Sequence, residues 1–353
     1  MAADGKPVEG SLYFYAPTKI APPIFAAAFL CAAIVHLWQC VRYRSWSITA
    51  LHPLCAMMFT VGFALRTYDA WNFDNIKTYV ASTLLIYTAP PLLELANFHV
   101  LGRILYYVPY FSPLHPGRTL TTFGLLSAAV EVMNALGVSY LLRPEVGESK
   151  QKAGHILMKA SLICQLAVIS LFCMIAAVFH RRCVRAGITS RKVQGPLWTM
   201  YISMAFILTR TIYRIVEHFG TSQIPANLPP NWDPMSLSPI VRYEWFFWVF
   251  EASLMLVNSV LWNIRHPRRY LPEDYHVYLA QDGQTEVRGP GWKDDMPWFM
   301  TFIDPCGLTA AITGGGRKKE RPFWETNGFE HIPLTKSASG DARASTPLND
   351  MYV

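Results

Sequence analysis

Three charged residues share one short apolar run, RTIYRIVEHFG, in which Arg210, Arg214 and Glu217 fall at i, i+4 and i+7. On an α-helix this spacing puts all three on one face. A second run, YEWFFWVFEASLMLVNSVLWN, repeats the pattern with Glu244, Glu251 and Asn258 at intervals of seven residues. Neither run sets a nucleophile beside a base, so the chemistry on offer is recognition of charge. If the two helices run antiparallel, Arg210 and Glu251 each lie eight residues from their outer ends. At 1.5 Å per residue both are then about 12 Å deep, as natural partners. Two readings stand: the acidic and basic seam lines a polar path or holds an amphiphile's head group, or it is an ion-pair network that locks the two helices together.

Other polar residues can extend that interior. The run TAPPLLELANFHVLGR holds Pro90 and Pro91, which remove backbone donors and leave the carbonyls of Ile86 and Tyr87 without helical partners, so a kink is expected. Glu94 and Asn97 follow on the same side, and Glu131 and His36 stand in neighbouring apolar segments. No HxxxH pair is present, and the last apolar segment has no Lys for a retinal Schiff base. An intramembrane zinc hydrolase, which needs clustered His ligands, and a retinal protein are therefore disfavoured. The GGGRKKER run lacks the Lys-Ser/Thr ending of a phosphate-binding loop, and seven singly scattered cysteines offer no disulfide framework. No catalytic residue, cofactor or metal is expected.

These residues must be held by apolar helices. Of 353 residues, 52% are hydrophobic and only 16% charged, against roughly 25% charged in soluble domains. The apolar residues are blocked into seven stretches near Ile20 to Val41, Ile48 to Tyr68, Thr78 to Leu101, Thr119 to Leu142, His155 to Phe179, Leu197 to His218 and Tyr243 to Ile264. Each is close to the ~20 residues that span a ~30 Å hydrocarbon core. The expected fold is all-α, a polytopic bundle of seven transmembrane helices. Basic residues in alternate connections count 12 against 7, which puts the N-terminus outside and the C-terminus in the cytoplasm. Residues 1–19 form an extracellular segment without a cleaved signal peptide, 20–271 the helical domain, and 272–353 a Gly-, Pro- and charge-rich tail read as largely disordered. The net charge of +7 clusters at membrane edges, where it sets topology rather than a nucleic-acid footprint. The partners expected are membrane lipids or amphiphilic small molecules, with no nucleic acid, and a cytoplasmic partner at the Arg-rich loop from His180 to Pro196.

Several motifs in order carry a resemblance: APPLLELANFHVLGRI, FHRRC, RTIYRIVEHFG, and the run from Tyr243 through FEASLM to HPRR. From about Ile20 to Leu271 the chain resembles the fungal RTA-like family, named for resistance to aminocholesterol and described as lipid-translocating exporters. The resemblance implies a seven-helix protein of fungal membranes, mostly plasma membrane, associated with release of sphingoid long-chain bases, resistance to toxic amphiphiles or, in one branch, porphyrin traffic. Phe59 stands where the family commonly has an acid, Glu131 lies farther along its helix than the usual acid, and Glu251 replaces the usual Asp. An amphiphile exporter or flippase-like translocator is the function expected, with a seven-helix lipid sensor or receptor as the alternative.

Overall fold

A computed structural model describes residues 17–72, 75–141, 147–221, 238–289 and 330–331. They are mostly helical. Helix α1, Ala21–Arg42, opens with proline in its first turn, where the missing N–H has no helical acceptor to lose. A single turn, α2 (Trp46–Thr49), leads into α3 (Leu51–Asp69). Helix α4, Ile76–Tyr107, is capped by Asn75, whose side chain accepts from the Thr78 backbone N–H at 3.3 Å. Helices α5 (Pro116–Leu141), α6 (Glu148–Arg185) and α7 (Arg191–Thr221) follow. After the short α8 (Pro239–Arg242), the last long helix is built in three pieces: α9 (Trp245–Phe247), a π-helical stretch Trp248–Ser253, and α10 (Leu254–Ile264).

Helix α4 is the centre of the bundle, packed against α3, α5 and α7, while α1 closes on α3 and α10 and α6 bridges α5 and α7. Its interior holds buried charge: Glu94, Arg103, Arg210, Arg214 and Glu251 are all buried, whereas Ile24, Leu37, Trp38, Ile156, Ile163, Met174 and Trp198 are exposed on the outside. Contiguous exposed apolar surface of this kind belongs in lipid rather than water. Five helical segments are long and apolar enough to cross a membrane: Ala21–Arg42, Ile76–Tyr107, Thr119–Leu141, Ser149–Arg185 and Trp245–Arg269. The protein is a multi-pass helical membrane protein. Helices α3 and α7 pack beside these five and carry the buried charges Arg66, Asp69, Arg210 and Arg214.

Small residues set the closest approaches. A Cβ on Gly154 of α6 would stand 3.0 Å from the Gly137 carbonyl oxygen of α5 and 3.1 Å from Tyr140 Cβ. Backbone meets backbone there, the usual device for packing helices in a bilayer. Gly154→Val is therefore expected to destabilise by about 1–3 kcal/mol through overpacking, read as a lower thermal midpoint of the detergent-solubilised protein. An unchanged midpoint would show that α5 and α6 part without cost.

Two expectations need correction. The loop from His180 to Pro196 is mostly helix: α6 continues to Arg185 and α7 begins at Arg191, leaving a connection of residues 186–190 turned by Gly187 at φ 78°. A basic, polar end does not stop a helix, because Arg has high helix propensity. The second concerns the start of the tail, where residues 277–288 form a hairpin instead of irregular chain. A 3₁₀ turn at Pro267–Arg269 leads to strands β1 (Val277–Leu279) and β2 (Glu286–Arg288), paired antiparallel, with β3 (Glu330–His331) added to β2. The turn carries Asp282, which accepts from the Gln284 and Thr285 backbone N–H groups at 2.9 Å each, and Gly283 at φ 73°.

This hairpin docks on the helices. Tyr278, Leu279 and Val287 are buried. Arg103 of α4 donates to the carbonyls of Pro272 at 3.1 Å and Asp274 at 2.6 Å. Glu286 accepts from the Tyr107 hydroxyl at 2.8 Å and from Lys192 Nζ at 2.7 Å, joining α4 to α7 across one end of the bundle. The rest of the expected disordered tail, including GGGRKKER, lies outside the described residues, as do residues 1–16.

Candidate functional site

Arg210 of α7 donates its Nε to both oxygens of Glu251, at 2.8 and 2.9 Å. The pair is almost sealed: the Arg side chain is 4% exposed and the Glu 0%. Glu251 sits within the π-helical stretch, whose wider turn disrupts the regular spacing of the helix. For that reason the seven-residue stripe does not survive as one face. Glu244 turns instead to α3, where Arg66 Nη2 donates to it at 3.1 Å, and it also accepts from the Thr18 backbone N–H at 2.8 Å and hydroxyl at 2.6 Å. Arg66 is capped by aromatic rings, its guanidinium carbon 4.2 Å from the centre of the Phe247 ring.

One turn along α7, Arg214 pairs with Glu217 of its own helix and donates to the Tyr87 hydroxyl of α4 at 2.9 Å. Its guanidinium carbon is 3.8 Å from the Tyr87 ring centre, so Tyr87, which the charge pattern alone does not reveal, ties α7 to α4. Arg210 and Arg214 both line a narrow hollow whose other walls are Tyr87, Pro91, Asn134, Met158, Leu162 and Gln165. A second, tighter hollow shares Pro91 and Gln165 and is completed by Glu94, Ser127, Val130 and Val168. Gln165 Nε2 donates to Glu94 Oε2 at 3.2 Å. Glu94 Oε1 is buried without a hydrogen-bond partner among the described residues.

The polar space thus lies among α4, α5, α6 and α7, not in a seam between the last two long helices. Helix α4 runs unbroken through Pro90 and Pro91; the expected break is confined to lost hydrogen bonds inside a continuous helix. Pro91 walls both hollows.

The other residues singled out in the sequence fall elsewhere. Asn97 donates to Ser203 of α7 at 2.9 Å, and Ser203 also accepts from the Trp262 indole N–H at 3.0 Å, a fully buried tie between three helices. Asn258 is buried with neither side-chain atom hydrogen-bonded among the described residues. His36 Nε2 is 3.1 Å from both the carbonyl and hydroxyl oxygens of Ser259, and its ring centre is 5.3 Å from that of His52. Glu131 is half-buried on α5, beside Thr88. Sequence reasoning missed Gln165, Tyr87 and Asn134; of these only Gln165, an amide in the most apolar stretch of α6, offered a signal.

Known proteins share this chain's pattern. The family described as RTA1 like protein matches residues 53–274. A protein of Leptosphaeria maculans named lipid-translocating exporter-like protein RTA1 is 45% identical over 86% of this chain and 60% of its own length. The chain thus spans about three fifths of that relative. A protein of the same name from Ajellomyces capsulatus is 29% identical over 76% of this chain and 85% of its own length. The protoporphyrin uptake protein 1 of Saccharomyces cerevisiae is 24% identical over 72% of this chain and 91% of its own. No solved structure matches. The family match covers more than half of the chain and takes in the helices that line the polar cavity, so the chain belongs to the RTA1 like protein family.

Proposed function

We propose that this protein moves amphiphilic lipids across a fungal plasma membrane, exporting sphingoid long-chain bases or flipping them between leaflets. The carrying observation is a pair of adjoining hollows, one lined by Arg210, Arg214 and Gln165 and the other by Gln165 and Glu94, inside a bundle whose outer surface is apolar. A charged head group crossing hydrocarbon unaided loses its hydration. A cavity with donors and an acceptor replaces that hydration while the alkyl chain stays among lipid tails. Relatives named lipid-translocating exporter-like or probable lipid transporter support the reading. In it, α3 and α7 complete seven spans, the N-terminus is outside and the C-terminus cytoplasmic, and the residues act by charge recognition rather than as an enzyme. The amine of a long-chain base is met by Glu94, because Glu251 and Glu244 are already taken by Arg210 and by Arg66 with Thr18.

The expected cellular result is that fungal cells lacking the protein grow poorly on added long-chain base and release less of it. Wild-type protein restores both, and equally expressed Glu94→Gln does not, since Gln keeps size and hydrogen bonding but loses the charge. Full restoration by Glu94→Gln would remove Glu94 from recognition. Unchanged release from cells lacking the protein would contradict export.

A further inference from the structure

Resting on the reading of this cavity as a head-group site, we propose that it is built for a zwitterionic amphiphile, with an oxyanion held by Arg210 and Arg214 and a primary ammonium held by Glu94. Arg210 uses only Nε on Glu251; its two terminal nitrogens make no hydrogen bond among the described residues, and the residue lines the larger hollow. Arg214 stands on the same wall. The terminal fork of Arg210, with the positive charge of Arg214 beside it although Arg214 is itself paired with Glu217 and Tyr87, suits the planar oxygens of a phosphate or carboxylate. On the far side of Pro91 and Gln165, Glu94 presents the opposite chemistry. It is 1% exposed, one of its oxygens is satisfied by Gln165 and the other by nothing among the described residues. A buried carboxylate oxygen without a donor is costly, and an ammonium brings three donors.

A purely cationic head, such as that of a long-chain base, engages Glu94 alone and leaves the terminal N–H groups of Arg210 unpaired, so it is carried but held more weakly than a head with both charges. A purely anionic one would set its charge near that of Glu94 with no gain there. Only a head with both charges satisfies both walls. The apolar side chains of Met158, Leu162, Val130 and Val168 line the same hollows beside the polar groups.

The test uses the full chain in phosphatidylcholine vesicles, with a fluorescent lysolipid displaced by four competitors of equal chain length: lysophosphatidylethanolamine, O-alkylserine, lysophosphatidic acid and sphinganine. The expected result is displacement by at least one of the two zwitterions at about tenfold lower concentration than by the anion or the cation. The phosphate and carboxylate arms then tell which oxyanion the guanidiniums take. Glu94→Gln is expected to bring the preferred zwitterion and lysophosphatidic acid to the same value. Arg210→Lys, which keeps a charge opposite Glu251 but loses the fork, is expected to bring the preferred zwitterion and sphinganine together. Equal displacement by zwitterions, anion and cation on the unsubstituted protein overturns the assignment even if a variant fails to fold, and so does a preference that survives Glu94→Gln. Translocation measured in the same vesicles separates the two claims. Transport without zwitterion preference removes the head-group assignment and leaves the transporter; preference without transport removes the transporter and leaves the site.

Discussion

Arg210→Ala and Glu251→Ala are each expected to lower the stability of the folded protein by about 3–5 kcal/mol, because each strands one member of a buried ion pair. Glu251 is fully enclosed and has both oxygens on Arg210 Nε. Removing the Arg leaves a carboxylate that neither lipid nor the apolar neighbours can solvate. Removing the Glu leaves a guanidinium in the same position, although its terminal nitrogens still border the cavity. The double substitution should therefore be milder than the sum of the two. A cycle read from urea or thermal unfolding in detergent micelles reports the coupling directly, and strictly additive losses would show that the contact carries no energy of its own.

The second large effect is expected at the opposite kind of site, where helix meets tail. Arg103 is 2% exposed, and its two hydrogen bonds to the carbonyls of Pro272 and Asp274, with the Tyr275 ring centre 4.3 Å from its guanidinium carbon, hold the start of the hairpin on α4. Hydrogen bonds from a charged donor contribute ~1.5–3 kcal/mol each, so Arg103→Ala should release the hairpin while the membrane helices remain paired. Amide hydrogen exchange in residues 277–288 should then accelerate by about a hundredfold or more, given a factor of ten per 1.4 kcal/mol. Exchange in α4 itself should change little. Equal acceleration in both would mean that Arg103 supports the whole bundle, and no acceleration would mean that the buried residues Tyr278, Leu279 and Val287 suffice to dock it.

How far the sequence carried this account depended on the range of the interactions concerned. The long apolar helices were legible because a bilayer demands uninterrupted apolar length, and that demand is local. The pairing of Arg210 with Glu251 was legible for a related reason: on apolar helices a buried charge has few partners to choose from. Glu244 was not, because its direction depends on the π-helical turn at Trp248–Ser253, and a single inserted residue in a helical turn leaves no periodic mark. The cavity was invisible as well. It is made where four helices fail to fill space around Pro91, and Tyr87 and Asn134 read as ordinary polar punctuation until the helices are packed. The hairpin carried a signal that composition masked: Asp282 and Gly283, between the apolar run Val277–Ala280 and the mostly polar segment Gln284–Arg288, make the dipeptide expected of a tight β-turn.

The most direct test of the central claim is translocation of a labelled long-chain base across vesicles that contain only the purified protein. The predicted result is flipping at least about tenfold faster than in protein-free vesicles, a barrier lowered by ~1.4 kcal/mol or more, with Glu94→Gln, reconstituted to the same density, falling most of the way back. Rates indistinguishable from protein-free vesicles would contradict the claim that this bundle carries amphiphile head groups across the membrane.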